Sequence, residues 1–430
     1  MRELARQIFQ HALAEANIAR AFDRYVELNR GVLRVGEVLF DLDSYTRHFV
    51  VSLGKAANTM VEALTSKAGE RFEGIVASPD PPSQQVRGYR YFQGGHPTPN
   101  SDSLLAAEAV LRALRGLDQN SLVIFMISGG GSSILEKPFD QEIPLEDLIA
   151  TYRVLVHCGA PIGEINTVRK HLSAVKGGRL ALAANGAQQI SLLVSDVPDS
   201  TPDALASGPT MPDSTSLFDC RNIVKKYELL PQFPASVREL FEENALEETP
   251  KSDDPVFVRS RWCTILSNKS AVDAAAAEAA RLGFTVAIDN SCDDWDYAAA
   301  ADYLLGRLRE LRRGHPRQCL ISGGEVTVKV TGDGGVGGRN QQFVLACAEK
   351  IAGEDIAVLS AGTDGIDGNS IAAGAVVDGT TLTSAAALKL DAASSLAKFD
   401  AYPFFEALGD AIVIGPTGNN LRDLRVLLAN

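Results

Sequence analysis

Leu122–Ile127 (LVIFMI), followed at once by Ser128-Gly129-Gly130-Gly131-Ser132-Ser133, decides how this chain folds. An uninterrupted apolar run that stops at a glycine cluster reads as a strand buried on both faces, the environment of a parallel sheet covered by helices. The same unit recurs upstream. His48–Leu53 (HFVVSL) ends at Gly54-Lys55, and a helical pattern follows through Ala56, Met60, Ala63 and Leu64. Gly74–Ala77 and Tyr89–Phe92 are further strands, the second running into Gly94-Gly95-His96-Pro97, and Ser101 and Asp102 are suited to cap the next helix. Downstream, Ile190–Val194 ends at Ser195-Asp196.

The second half repeats the theme. Cys263–Leu266, Thr285–Ile288, Cys319–Ile321, Val326–Val330, Ile356–Leu359 and Ala411–Ile414 read as strands, and Ala271–Leu282, Asp294–Leu311 and Phe343–Ile351 as helices. Strands alternating with helices predict an α/β protein with largely parallel sheets. At 430 residues the chain exceeds the roughly 100–200 residues of one domain. The polar stretch Pro231–Pro255, with an acidic patch over Glu242–Glu248, marks the main boundary. The expected organisation is an N-terminal helical segment over 1–45, free to pack on the C-terminal domain, one domain over 46–235 and a second over 236–430.

The formal charge of −13 opposes nucleic acid or an anionic membrane as partner, and no basic patch offsets it. Cys158, Cys220, Cys263, Cys292, Cys319 and Cys347 lie far apart without zinc-ligand spacing, as reduced core residues of a cytoplasmic protein would. The first 22 residues carry acidic residues within their apolar stripe and read as an amphipathic helix rather than a signal peptide. No apolar run reaches the roughly 20 residues that span a bilayer.

Most glycine clusters fall where a strand ends, the edge of an α/β sheet at which ligands bind. Glycine there admits close approach of the backbone to a ligand. Ser128–Ser133 is suited to wrap a triphosphate or a small carboxylate. Lys55 emerges at that edge as a point charge, and Arg339, embedded in Gly337-Gly338-Arg339-Asn340-Gln341, carries a fork that grips carboxylate or phosphate. Asp196, Asp364 and Asp367 follow strands and are candidates for Mg²⁺ or for accepting a hydroxyl proton. Glu325, after Ser322-Gly323-Gly324, has the same double reading. His96 is a candidate loop orienter, and Asn166–Ser173 (NTVRKHLS), a polar helical start, supplies Arg169, Lys170 and His171 for substrate contact or for hydrogen bonds between elements. There is no GxxxxGK[ST], no GxGxxG in the dinucleotide context and no GxSxG elbow, so neither a standard phosphate loop, a nicotinamide site nor covalent catalysis has support.

Val51-Ser52-Leu53-Gly54-Lys55-Ala56-Ala57, Gly95-His96-Pro97, Ser128-Gly129-Gly130-Gly131-Ser132, Gly163-Glu164-Ile165-Asn166 and Ser207-Gly208-Pro209-Thr210 resemble, in that order, the first half of the glycerate 2-kinases. Ser322-Gly323-Gly324-Glu325, Gly337–Gln341, Gly362–Gly368 and Gly415-Pro416-Thr417-Gly418 are similar to that family's C-terminal domain. The resemblance implies two Rossmann-like α/β/α domains with a cleft between them, and ATP- and Mg²⁺-dependent phosphorylation of the 2-hydroxyl of D-glycerate to 2-phosphoglycerate. It places the family's proposed catalytic lysine on Lys55 and its arginine on Arg339, and these two are expected to stabilise the transferring phosphoryl group and to bind glycerate's carboxylate. Asp196 then serves as base or metal ligand and Asp364 or Asp367 as the other metal contact, while Ser128, Gly129, Gly130, Gly131, Ser132, His96, Asn166, Arg169, Glu325, Asn340 and Gln341 bind substrate or phosphate. Two departures stand out: Asp199-Ser200 replace the family's Gly-Asp, and Asn419 replaces a usual Thr. Hydroxypyruvate reduction and non-catalytic binding of a nucleotide or small acid are the competing readings, and homo-oligomerisation stays open.

Overall fold

The computed structural model describes every residue except Asn185 and Pro316. It divides into two compact units, a larger one of Ala21–Ile265 and a discontinuous one of Met1–Arg20 with Leu266–Asn430. The second unit thus begins at Leu266 rather than at 236, and the N-terminal segment is shared between the two.

The larger unit opens with an antiparallel meander of β1 (Val26–Asn29), β2 (Val32–Val35) and β3 (Val38–Asp41). Its main sheet contains β4 (Arg47–Leu53), β5 (Glu73–Ser78), β6 (Tyr89–Gln93), β7 (Ser121–Ser128), β8 (Gln188–Val194) and β9 (Ser260–Leu266), in the order β6-β5-β4-β7-β8-β9. Pairings from β6 to β8 are parallel. All of β7 is buried, as its apolar run requires. The chain moves from β4 outward to β6 on one side and from β7 outward to β9 on the other. The order therefore reverses between β4 and β7, and such a reversal opens a crevice at the carboxyl ends of the two strands.

The helix Ser101–Arg115 is capped by Asn100, not by Ser101 or Asp102: Asn100 Oδ1 accepts the Ser103 N–H at 2.9 Å. The presumed boundary stretch is structured. Its helix Ala235–Glu242 buries Val237 and Leu240 in a cluster with Leu148, Tyr152, Ile165 and Cys220. The division comes later because β9 joins the outer edge of the first sheet.

In the discontinuous unit, the helix Arg2–Glu15 buries Ala5, Ile8, Phe9 and Ala12 against Val272, Ala275 and Ala279 of the helix Asn268–Arg281. The sheet comprises β10 (Thr285–Ile288), β11 (Gln318–Gly323), β12 (Ile356–Gly362), β13 (Gly374–Asp378), β14 (Ala411–Ile412) and β15 (Asp423–Ala429). Its order is β10-β11-β15-β12-β13-β14. Only β10 and β11 pair in parallel among the described residues; the other pairings are antiparallel. The expectation of a mostly parallel second sheet is therefore corrected to a mixed one, because β15 returns between β11 and β12 in the opposite direction. Val326–Val330 forms no strand: Thr327 makes an isolated bridge to Asp296 and the segment lines a cavity instead. All six cysteines are free thiols, and no described helix is long and apolar enough to cross a membrane.

Candidate functional site

The crevice between β4 and β7 is built by two interlocked loops. Gly54 has φ +111°, and a methyl group on it would lie 2.3 Å from Ser128 Oγ, so only glycine fits. The Lys55 N–H donates to Gly129 O at 2.9 Å, and the Ala56 N–H to Ser128 Oγ at 3.0 Å. Ser128 also donates to Leu53 O at 3.3 Å. Its hydroxyl therefore ties the loops together and is not offered to a ligand, a correction to its expected role.

The neighbours of the next two glycines define the site. A methyl on Gly129 would lie 1.9 Å from Asp196 Oδ2, and one on Gly130 3.0 Å from His96 Cδ2 and 3.2 Å from Lys55 Cγ. Lys55, His96 and Asp196 thus meet around one glycine turn. Lys55 is exposed and makes no ion pair among the described residues. Desolvation, with the Lys55 ammonium nearby, lowers the His96 pKa, so its imidazole is neutral at pH 7.

A cavity of 440 Å³ adjoins this turn, lined in part by His96, Gly130, Ser132, Tyr152, Arg153 and Arg169. Arg169 lies late in the helix Ile162–His171, so the polar stretch around it ends a helix rather than starting one. Asn166, a turn earlier, is outside the cavity wall. His171 and Lys170 are structural: His171 is fully buried between Thr167 O and Glu248, and Lys170 is paired with Asp203 and Asp213 at 3.0 and 3.1 Å. Sequence reasoning missed Glu136, which is fully buried and accepts from Tyr152, Ser173, Lys176 and the Lys137 N–H. Only the position of a charged residue beside the apolar pair Ile134-Leu135 hinted at it.

The discontinuous unit holds the remaining candidates. Arg339 opens the helix Arg339–Lys350, and its Nε lies 2.7 Å from Asp423 Oδ2 while Nη2 lies 2.7 Å from Glu325 Oε1. Burial lowers its pKa, but the two carboxylates outweigh that and raise it overall. Glu325 shifts upward because burial outweighs Arg339. Asp367 is 2% exposed and accepts the backbone and side-chain N–H groups of both Asn340 and Gln341 at 2.9–3.2 Å. Both its oxygens are engaged in these bonds, so in this structure it caps the helix from the cavity wall, and Asn340 and Gln341 face it. Asp364 accepts the Ile366 N–H at 3.2 Å and, with Glu325, Arg339 and Asp294, lines a cavity of 770 Å³.

No cluster of three or more His, Cys, Asp or Glu suited to a metal occurs among the described residues. Mg²⁺ usually takes only one or two carboxylates together with substrate phosphates. Asp364 and Asp196, half-buried at loop tips, match that single-donor chemistry.

Residues 4–242 match the family described as a domain of unknown function, DUF4147, and residues 318–423 match the MOFRL family. A glycerate 2-kinase of Pyrococcus horikoshii is 33% identical, with 100% of this chain and 97% of that protein covered. A putative hydroxypyruvate reductase of Agrobacterium vitis is 34% identical, with 99% and 94% covered. The crystal structure of a glycerate kinase from Thermotoga maritima superposes with a TM-score of 0.87 at 32% identity, covering 100% of this chain and 99% of that one. An α/β enzyme with glycine loops at its strand ends is the class that fold and site define. The chain belongs to the glycerate 2-kinase family.

Proposed function

We propose that the protein transfers the γ-phosphoryl group of ATP to the 2-hydroxyl of D-glycerate, giving 2-phosphoglycerate and ADP. The observation that carries this reading is Lys55, an exposed cation at the β4/β7 crevice, held beside Asp196 by a turn of glycines. Relatives named glycerate 2-kinase support glycerate as the acceptor.

Phosphoryl transfer asks little covalent chemistry of a protein and depends on positioning and charge neutralisation. Lys55 neutralises the transferring group, and Asp196 orients the acceptor hydroxyl and takes its proton. Gly129 and Gly130 leave the room in which Asp196, His96 and Lys55 converge on the turn. Arg339 plays a different part from Lys55, since Glu325 and Asp423 already offset its charge. It holds the acidic rim of the 770 Å³ cavity, where Asp364 would hold Mg²⁺ together with the nucleotide's phosphates. When bound, Mg²⁺ neutralises charge on the β- and γ-oxygens.

Phosphorus NMR of the product formed from D-glycerate and ATP tests the reading, beside a parallel incubation with hydroxypyruvate and NADH. A 2-phosphoglycerate resonance without NADH oxidation is expected. Formation of 3-phosphoglycerate overturns the regiochemistry, and NADH oxidation without phosphorylated product overturns the kinase reading altogether.

A further inference from the structure

The wall of the 440 Å³ cavity is electrostatically unlike the rest of this acidic chain. No carboxylate lines it among the described residues, whereas Arg153 and Arg169 do. Arg169 makes no ion pair among the described residues, and its Nε is buried without a hydrogen-bond partner. Its guanidinium carbon lies 4.9 Å from the centre of the Tyr152 ring, stacked on the ring face.

That ring is fixed from behind. The Tyr152 hydroxyl donates to Glu136 Oε2 at 2.6 Å, and Ser173 donates to Glu136 Oε1 at 2.6 Å. Burial and Glu136 push the Tyr152 phenol far above its ordinary pKa, so it remains a donor. The Lys176 ammonium closes the pair with Glu136, and both side chains are buried. Two cations, Lys176 and Arg169, stand against one carboxylate, Glu136. One positive charge is therefore left over, and Arg169 presents it to the cavity wall.

We infer that this cavity is the acceptor subsite, that the Arg169 guanidinium binds the carboxylate of a short 2-hydroxy acid, and that Tyr152 is the positioning residue that aims it. The assignment rests on the glycerate reading above. An arginine fork matches a carboxylate bidentately, and Ser132, whose hydroxyl shares one hydrogen bond with Ser207 Oγ at 2.9 Å, lies on the same wall with a further lone pair for a hydroxyl of the ligand. The site therefore selects for the anion and discriminates against uncharged polyols such as glycerol. By contrast, the acidic cavity of the discontinuous unit repels a bare monoanion and favours a ligand that brings a divalent cation.

Calorimetric titration of D-glycerate without nucleotide, into wild type and Arg169→Met, tests this alongside steady-state kinetics with ATP. The expected result is binding that weakens roughly 100-fold in Arg169→Met, a matching rise in KM for glycerate, and a KM for ATP within about twofold of wild type. Arg169→Lys should recover part of the loss, because it restores the charge but not the fork. Tyr152→Leu should raise the glycerate KM about tenfold at nearly constant kcat, and Tyr152→Phe, which keeps the ring face, should restore it. Tyr152→Leu and Tyr152→Phe both at the wild-type KM overturn the positioning role.

Equal glycerate affinity in wild type and Arg169→Met overturns the inference. If the wild type also phosphorylates glycerate, the kinase reading stands without it. Binding that depends on Arg169 but yields no turnover with ATP sustains the subsite and removes the kinase reading. Neither binding nor turnover removes both.

Discussion

Gly129 and Asp196 are in contact: a methyl group built on the Gly129 α-carbon falls 1.9 Å from Asp196 Oδ2. Gly129 is not among the residues with positive φ, so alanine meets no backbone penalty there and acts only by displacing the carboxylate. A displacement of about 1 Å costs on the order of 100-fold in rate when the group touches the chemistry. Gly129→Ala is expected to lower kcat by about that factor with little change in melting temperature. A kcat at the wild-type value would separate Asp196 from the reaction.

Lys55 offers the cleanest split between activity and stability. It is exposed and unpaired among the described residues, so Lys55→Ala should change unfolding free energy by no more than about 0.5 kcal/mol. Turnover should fall at least roughly 100-fold, the usual loss when one preorganised charge-stabilising group is removed. Denaturant titration and initial rates measured on the same preparation provide the check.

Asp367 links stability to pH. Burial raises its carboxyl from 3.8 to about 6, although four amide N–H groups from Asn340 and Gln341 pull the other way. The native state then binds a proton more readily than the unfolded chain between those two values. Stability contributed by this group is therefore full below pH 3.8 and lost as pH rises toward 6. Asp367→Asn cannot titrate, so urea midpoints measured across that window should fall less steeply with pH than in wild type. Parallel slopes would contradict the assignment.

Arg2 anchors the first helix. Its guanidinium lies 2.9 Å from Asp410 and 2.7 Å from Asp378, and the Asp410 side chain is only 6% exposed. Arg2→Ala leaves Asp410 with Arg6 alone, at 3.9 Å. A loss of about 2 kcal/mol is expected, in line with losing hydrogen bonds to a buried charge. It should appear in a calorimetric scan as a lower transition temperature; an unchanged transition would show that the apolar face of the helix suffices.

The parallel half of the fold was legible because β4 and β7 are uniform apolar runs ending in glycine, a local signal. The meander Val26–Asp41 is hard to read although Gly31 and Gly36, with φ +84° and +57°, mark its two turns, because the preceding helical pattern runs on into it. β15 was illegible for a different reason. Arg425 at its centre reads as solvent-facing, yet its side chain is fully buried, with its guanidinium hydrogen-bonded to the Gly323 and Gly324 carbonyls. Such satisfaction depends on residues far away in sequence. The site divides likewise: Lys55, His96 and Asp196 follow strands, and the structure brings all three to one glycine turn. Ser128, Asn340, Gln341 and Asp367 have the right chemistry but spend it on the scaffold, which residue type alone does not reveal.

The discontinuous unit also fixes an order of assembly. Ala21–Ile265 has its sheet complete once β9 is made, whereas the helix Arg2–Glu15 packs against partners that all lie beyond Leu266. β15 sits between β11 and β12, so both of those strands keep an open edge until the final segment arrives. During synthesis on the ribosome, Ile8 and Phe9 emerge before the larger unit, and the residues they pack against follow only after it. The start of the chain is thus among the last parts to be buried, and this is the interval in which a chaperone that holds exposed apolar helices has its opportunity.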